Sequence, residues 1–398
     1  MELFRNTNIN FLGWKWYFLA FSLIFSVAGI ISMFFWHGLP LGVDFKGGTL
    51  VRVKFAQPPD ENQIRAAMDR AGLHNARIQR FGAAANNEEM IALEQKETSE
   101  ANLDQGRELI IKALNPNPSQ GKQDINNVGK TTVREKLATR DPLHLAPSEY
   151  DAIVSSILDF RDKTKGGVLV GLDDLQGVVQ PPVIEALKQD FFVSNFGVRE
   201  TTVVGPQVGQ QLRRQALLAT LYSLAGMLVY LWFRFEMIYG VAAVVACFHD
   251  TLITVGAFSL TNKDITLTVI AAILTLVGYS MNDTIVVFDR IRENVKMMRR
   301  ESLSEIVNRS INQTLSRTIL TSGLTFVTVV SLYLFGGEVL NGFSFALVIG
   351  ILIGTYSSIA VAAPMLVAYQ DWRSGRSGRG TIGPAATPVG RGKVGVKV

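Results

Sequence analysis

The chain has 398 residues, 48% of them apolar and only 18% charged, with a mean hydropathy of +0.22. That balance suits a membrane protein carrying one sizeable water-exposed domain. Lys and Arg exceed Asp and Glu by only 39 to 34, and the lone cysteine, Cys247, lies in an apolar run. A disulfide framework and a cysteine metal site are therefore excluded, and four scattered histidines suggest no metal site either.

The first predicted element, Trp14–Trp36, is an apolar span following a short N-terminus, residues 1–13. It is longer than a signal-peptide core, and Trp36-His37-Gly38-Leu39-Pro40 stands where a small-x-small cleavage site would be, so it reads as a retained anchor. Trp14, Trp16 and Trp36 at its ends fit interfacial aromatic belts.

Residues 37–212 form the only long polar stretch. After the glycine-rich segment Gly42-Val43-Asp44-Phe45-Lys46-Gly47-Gly48-Thr49, the pattern predicts a strand over Thr49–Ala56 and a helix over Asp60–Gly72. Strands over Ala76–Gly82 and Glu89–Gln95 follow, joined by a turn at Ala83–Asn87. This β-α-β-β order opens a ferredoxin-like α+β unit. A helix is expected over Glu100–Leu114, after which Pro116, Pro118 and Gly121 break the pattern. Inside an extra segment at about 115–195, Ser148 and Asp151 suggest a helix cap over Ile153, Ile157 and Phe160. Val198–Val204 closes the domain as a strand, ended by Gly205-Pro206.

Five more apolar runs follow within 213–370: Ala216–Phe233, Met237–Leu260, Ile265–Phe288, Arg317–Phe335 and Phe343–Tyr369. With the first, they make a six-helix membrane bundle. The loop 289–316 and the tail after Tyr369 are rich in Lys and Arg, whereas loops 261–264 and 336–342 hold a single Lys between them. Positive-inside logic then places both termini in the cytoplasm and domain 37–212 on the outer side of the cytoplasmic membrane. The basic loop reads as a topology determinant and lipid-surface segment, and the Gly/Arg-rich tail, 371–398, as disordered. Ala346, Gly350, Gly354 and Ser358 repeat every four residues, a stripe for close helix packing, and Pro364 is expected to bend the last span.

Polar groups at membrane depth are the candidate site. Asp283 lies about 7 Å inside the hydrocarbon edge of its run. A carboxylate there costs roughly 3 kcal/mol, which marks it as functional if a partner can be named. The candidate partner is Arg317, which opens the next run and begins a stripe of Arg317, Thr321, Thr325, Thr328 and Ser331 along one helix face. Such a pair could gain and lose a proton as water access changes, or be a static ion pair fixing helix register. His249 and Asp250, mid-span, and Asn282 and Thr321 beside the main pair either join a relay or tie helices through hydrogen bonds. Gly129-Lys130-Thr131 fails as a P-loop because Asp124 stands where the pattern needs glycine. No nucleophile–base constellation is present. The chain reads as a non-enzyme with no cofactor, and nothing points to nucleic acid.

Several of these segments together are similar to the SecF family. They are the glycine-rich 42–49 segment, Val204-Gly205-Pro206-Gln207-Val208-Gly209, Phe248-His249-Asp250, the run from Gly278 to Asn294 containing Asn282-Asp283-Thr284, Ser316-Arg317-Thr318-Ile319-Leu320-Thr321-Ser322, and Phe335-Gly336-Gly337. The resemblance covers residues 1–95 and 196–370. It implies half of a resistance-nodulation-division-type transporter acting with a SecD-like subunit. That complex uses the proton motive force to promote preprotein export through the SecYEG channel, its outer domains meeting emerging preprotein chains. By motif position it makes Asp283 the proton-carrying carboxylate and Arg317 its intramembrane partner. The segment 115–195 departs from the family by its extra length. Two other readings stay open: a proton-driven exporter of small molecules or lipids, and a non-transporting membrane scaffold.

Overall fold

The computed structural model describes residues 7–74, 76–82, 84–94, 105–115, 121–146, 148–235, 237–298 and 300–377. Among these, six helices are long and apolar enough to cross a membrane. Helix α1 (Lys15–Ile31) widens into a π turn over Ser32–Trp36, and Trp14, Trp16 and Trp36 are exposed at its two ends. The chain then enters the polar domain through a short helix, α2 (Val43–Lys46).

The domain is built on strands β1 (Gly48–Phe55), β2 (Arg77–Phe81) and β3 (Glu88–Glu94), with helix α3 (Glu61–Arg70) between the first two and α4 (Gln105–Leu114) after the third. An inserted module comes next: β4 (Gln123–Asp124), α5 (Lys130–Arg140), α6 (Tyr150–Asp159), α7 (Pro181–Asp190) and β5 (Phe191–Phe192). Strand β6 (Phe196–Val204) returns to the main sheet, whose order is β2-β3-β1-β6, antiparallel throughout. With β6 as the fourth main strand, this is the ferredoxin-like order expected from β-α-β-β. Alternation explains the sheet: Val51, Val53 and Phe55 of β1 and Ile91 and Leu93 of β3 all point to one side. There they meet Ile64 and Met68 of α3 and Ile110 of α4 in one core.

Asp60 caps α3 by accepting from the Asn62 amide at 2.9 Å, so the helix starts at Glu61. The expected Ser148 cap is not formed. Glu149 occupies the N-cap position of α6 and its carboxylate turns back to the Ala146 amide at 2.8 Å, while Asp151 faces Lys130 and Arg134 of α5 at 3.9 and 3.7 Å. The module has its own core of Ile125, Val133, Leu137, Tyr150, Val154, Ile157, Leu187 and Phe191. Of the sequence expectations, Ala83, Gln95, residues 100–104, Pro116, Pro118 and the tail from 378 lie outside the described residues.

The bundle is completed by α8 (Pro206–Arg234), α9 (Met237–Thr261), α10 (Leu267–Met297), α11 (Leu303–Phe335), α12 (Gly337–Ser357) and α13 (Ala363–Ser377). The last two are joined by a π turn at Ser358–Ala362, next to Pro364. Helices α8, α10 and α11 run well past their apolar stretches, because polar helix can continue once its ends are capped. Pro206 sits at the first helical position of α8, and Ser302 and Glu305 form a reciprocal capping box on α11. The segment 289–316 is therefore not an open loop. It is mostly the ends of two helices, tied where Asn294 Nδ2 donates to Ser310 Oγ at 2.8 Å. Residues 371–377, expected to be disordered, continue α13.

Candidate functional site

The small-residue stripe sets the distance between α10 and α12. Ala346, Gly350, Gly354 and Ser358 are all buried, and a Cβ on Gly354 would lie 3.0 Å from Ser280 Cβ. At this close approach the bundle core holds two buried carboxylates, Asp283 at 2% exposure and Asp250 at 0%.

Asp283 Oδ2 accepts from Ser322 Oγ of α11 at 2.7 Å and from Thr355 Oγ1 of α12 at 3.4 Å. Asp250, on α9, accepts from Ser280 Oγ of α10 and from Ser357 Oγ of α12, the latter at 2.7 Å. His249 Nδ1 lies 2.9 Å from Asp250 Oδ1, which places a proton on Nδ1 whenever Asp250 is ionised. His249 Nε2 is buried without a hydrogen-bond partner. The two clusters share α10 and α12, offset by about one helical turn along α10.

Asp283 and Arg317 make no direct ion pair or hydrogen bond: Arg317 is exposed, and its charge acts on the Asp283 carboxylate only through space. Arg317 opens instead into two cavities of about 1220 and 470 Å³, which also share Arg290 and Gln313. The reason is rotational. Thr314, Thr318, Ser322 and Val329 form the buried face of α11, so Arg317, Thr321, Thr328 and Ser331 are turned outward. Thr321 Oγ1 satisfies itself on the Arg317 carbonyl at 3.0 Å, and Asn282 is also exposed. Sequence reasoning found the right turn of α11 but not the direct contact, Ser322. It also missed Ser280, Thr355 and Ser357. For Ser280 the signal was present, three residues before Asp283 and on the same helix face.

The chemistry follows from the donor set. A fixed cation would commit Asp283 to its ionised form, whereas hydroxyls serve either form. They donate to a carboxylate and, after rotation, accept from a carboxylic acid. Thr318 Oγ1, buried one turn from Ser322 on the same face, has no hydrogen-bond partner. The hydroxyls around Asp283 can satisfy either form of its carboxyl by rotation alone. Among the described residues no group of His, Cys, Asp and Glu could hold a metal ion.

The outward face of α10 is unlike those of α1 and α8. Helix α8 shows Leu217, Leu221, Val229, Trp232 and Phe233, as lipid contact requires. Between Ala271 and Asp289, the exposed residues of α10 are Ala271, Thr275, Gly278, Asn282 and Asp289, none of them a large hydrophobe. Beside them lie Arg317, Thr321 and Thr328 of α11, whose outward surface also carries Leu324, Val327, Leu334 and Phe335.

Bundle and inserted ferredoxin-like domain together define a six-helix membrane protein with an α+β domain between its first two spans. Residues 183–372 match the family described as Protein export membrane protein SecD/SecF, C-terminal, and residues 36–59 match the SecD/SecF GG Motif. The chain is 69% identical over 402 residues to protein translocase subunit SecF of Koribacter versatilis, covering 99% of this chain and 100% of that protein. It is 38% identical to that of Calditerrivibrio nitroreducens, covering 94% and 98%. A crystal structure of SecDF from Thermus, titled a translocon-associated membrane protein, superposes with a TM-score of 0.64 at 28% identity over 92% of this chain. A SecDF structure in the super-membrane-facing form superposes at 0.55 and 29% identity over 95% of it. This chain spans 39% and 41% of those two longer chains. The chain belongs to the SecF family of protein translocase subunits.

Proposed function

We propose that this subunit docks the outward face of α10 and α11 on a SecD-like partner, and that a proton passing through Asp283 drives preprotein export through a SecYEG channel. In this reading both termini are cytoplasmic and domain 37–212 stands on the outer side, where emerging chains pass. The observation that carries it is the polar, small-residue face of α10, with Arg317 and Thr321 of α11 beside it. Such a face is costly against acyl chains and suited to another protein's helices, and Asp283 lies directly behind it.

Arg317 belongs to this interface rather than to a pair inside the chain. It borders the cavities on the side of the basic helix ends, from which water and protons reach the core. Asp250 is the helix tie of the two carboxylates: three donors on three helices satisfy it. One charge crossing the whole membrane is worth about 2.3 kcal/mol per 100 mV, enough to bias a two-state element by about fiftyfold. No covalent chemistry is assigned to the chain.

The test is export by the complete SecDF-type complex carrying Asp283→Asn, which keeps size and polarity but cannot ionise. The expected result is normal assembly with loss of the gradient-dependent part of export. Export that still follows the gradient would remove Asp283 from the proton path.

A further inference from the structure

The glycine-rich segment takes no part in the carboxylate clusters, yet it touches the main connections between domain and bundle. The Ile265 amide donates to the Pro40 carbonyl at 2.7 Å and the Gly42 amide to the Ile265 carbonyl at 2.9 Å. Residues 40–42 therefore pair with the α9–α10 connection. Asp44 Oδ2 accepts from the Leu267 amide at 3.0 Å, capping the first turn of α10, where a carboxylate is also favoured by the helix dipole. Phe45, 4% exposed, packs in one core with Phe258, Ile265 and Val269.

Gly47 has φ 76°, and a Cβ there would lie 2.7 Å from Pro206 Cα at the start of α8. The segment thus turns tightly against α8 before entering β1. A second contact comes from the sheet: Arg77 of β2 pairs with Asp264, with only 26% and 21% of their side chains exposed. Burial pushes the Asp264 carboxyl above the usual carboxylate range, against the pull of Arg77.

We propose that Asp44 and the Arg77–Asp264 pair are positioning residues that bind the domain and α10 into one rigid piece, so that a shift of α10 on proton binding at Asp283 is delivered to the domain. The proposal rests on the reading of Asp283 as the proton carrier. Helix α10 is unbroken from its Asp44 cap to Asp283, roughly 24 Å at 1.5 Å per residue. Close-packed helix transmits displacement rather than absorbing it. The α9–α10 connection is held on both sides, by backbone bonds to 40–42 and by Arg77. Motion of α10 relative to the domain would have to break both.

The experiment uses the complete complex in proteoliposomes and compares export with and without a proton gradient. Asp44→Leu removes the cap acceptor, and Asp44→Asn keeps an oxygen for the Leu267 amide. Asp44→Leu is expected to assemble and to export without a gradient as the parent does, but to lose gradient stimulation as fully as Asp283→Asn. Asp44→Asn should retain most of it. A merely structural cap would lower the amount assembled while leaving the gradient response intact, and that result would overturn the proposal.

A second variant decides the matter if Asp44→Leu does not assemble. Arg77→Cys and Asp264→Cys, in a Cys247→Ala background, are bridged with a short bismaleimide. Gradient-driven export should survive the bridge, because the two sides already move together. Loss of export on bridging would mean that the domain must leave α10, and the proposal falls. A normal gradient response from Asp283→Asn would instead remove the reading beneath it.

Discussion

Replacing Gly354 with leucine tests whether both carboxylate clusters depend on the close approach of α10 and α12. The added Cβ would stand 3.0 Å from Ser280 Cβ, well inside the ordinary carbon–carbon contact of about 3.5–4.0 Å, and the rest of the side chain needs more room still. Helix α12 would have to withdraw by about 1 Å or more. The Thr355–Asp283 bond is already 3.4 Å and the Ser357–Asp250 bond 2.7 Å, so such a withdrawal carries both beyond useful hydrogen-bond length. Overpacking costs about 1–3 kcal/mol, and each bond lost from a carboxylate adds about 1.5–3 kcal/mol. With partial relaxation of α12, a net loss of about 3–5 kcal/mol is expected. The assay is thermal unfolding of the purified chain in detergent, followed by tryptophan fluorescence, beside gradient-driven export by the assembled complex. For the melting assay Gly278→Leu and Gly323→Leu are the controls, because a Cβ at either meets nothing within 4 Å. A Gly354→Leu chain that melts with the parent and exports normally would refute the packing argument.

The remaining predictions use the outward face and the domain. Gly278→Leu and Arg317→Gln should leave the melting of the isolated chain unchanged but sharply reduce recovery of a SecD-like partner in affinity purification; unchanged recovery would count against that face as the interface. Glu89 is buried in β3, 3.8 Å from Arg80, and burial, with Glu61 nearby, raises its carboxyl above the ordinary range. A raised carboxyl destabilises the folded domain at neutral pH and ceases to do so as pH falls through its folded value. Glu89→Gln should therefore raise the domain's melting temperature at pH 7 and lose that advantage in acid. In the module, hydrogen bonds from Lys165 to Asp174 and from Arg140 to Asp190 hold both carboxyls below the ordinary range. Their contribution is complete above the unfolded value of about 3.9 and disappears as pH falls through the lowered folded values. Acid titration followed by hydrogen exchange should show the module losing protection below about pH 4, and Asp190→Asn should flatten that loss.

The spans and the main sheet were legible because each follows a period. Alternation set β1 and β3 to within a residue or so at their ends, and long apolar runs marked the bundle. Helix ends were not legible from hydropathy, since α8, α10 and α11 continue through polar sequence on the strength of caps such as Pro206 and Ser302. At the site, the depth of Asp283 was readable from its distance to the end of the apolar run. The hydrogen-bond partner was not, because Arg317 and Ser322 differ by five residues on a helix of 3.6 per turn and so point different ways. Charge drew attention to Arg317, whereas packing turned Ser322 inward. Asp250 shows the same limit: its donors come from α10 and α12, far along the chain, and only the fold brings them together.

The module's attachment has a practical consequence. Its first and last residues meet side by side, Gln123 opposite Phe191 and Asp124 opposite Phe192. The junction is closed by Asp124 Oδ1 accepting from Ser194 N at 3.2 Å and Asn126 Nδ2 donating to the Ser194 carbonyl at 2.9 Å. A folded unit whose two ends leave through one narrow stem behaves as a cassette. A fluorescent or affinity domain with similarly adjacent ends could be spliced there, giving a reporter on the domain that leaves the bundle and both chain ends untouched.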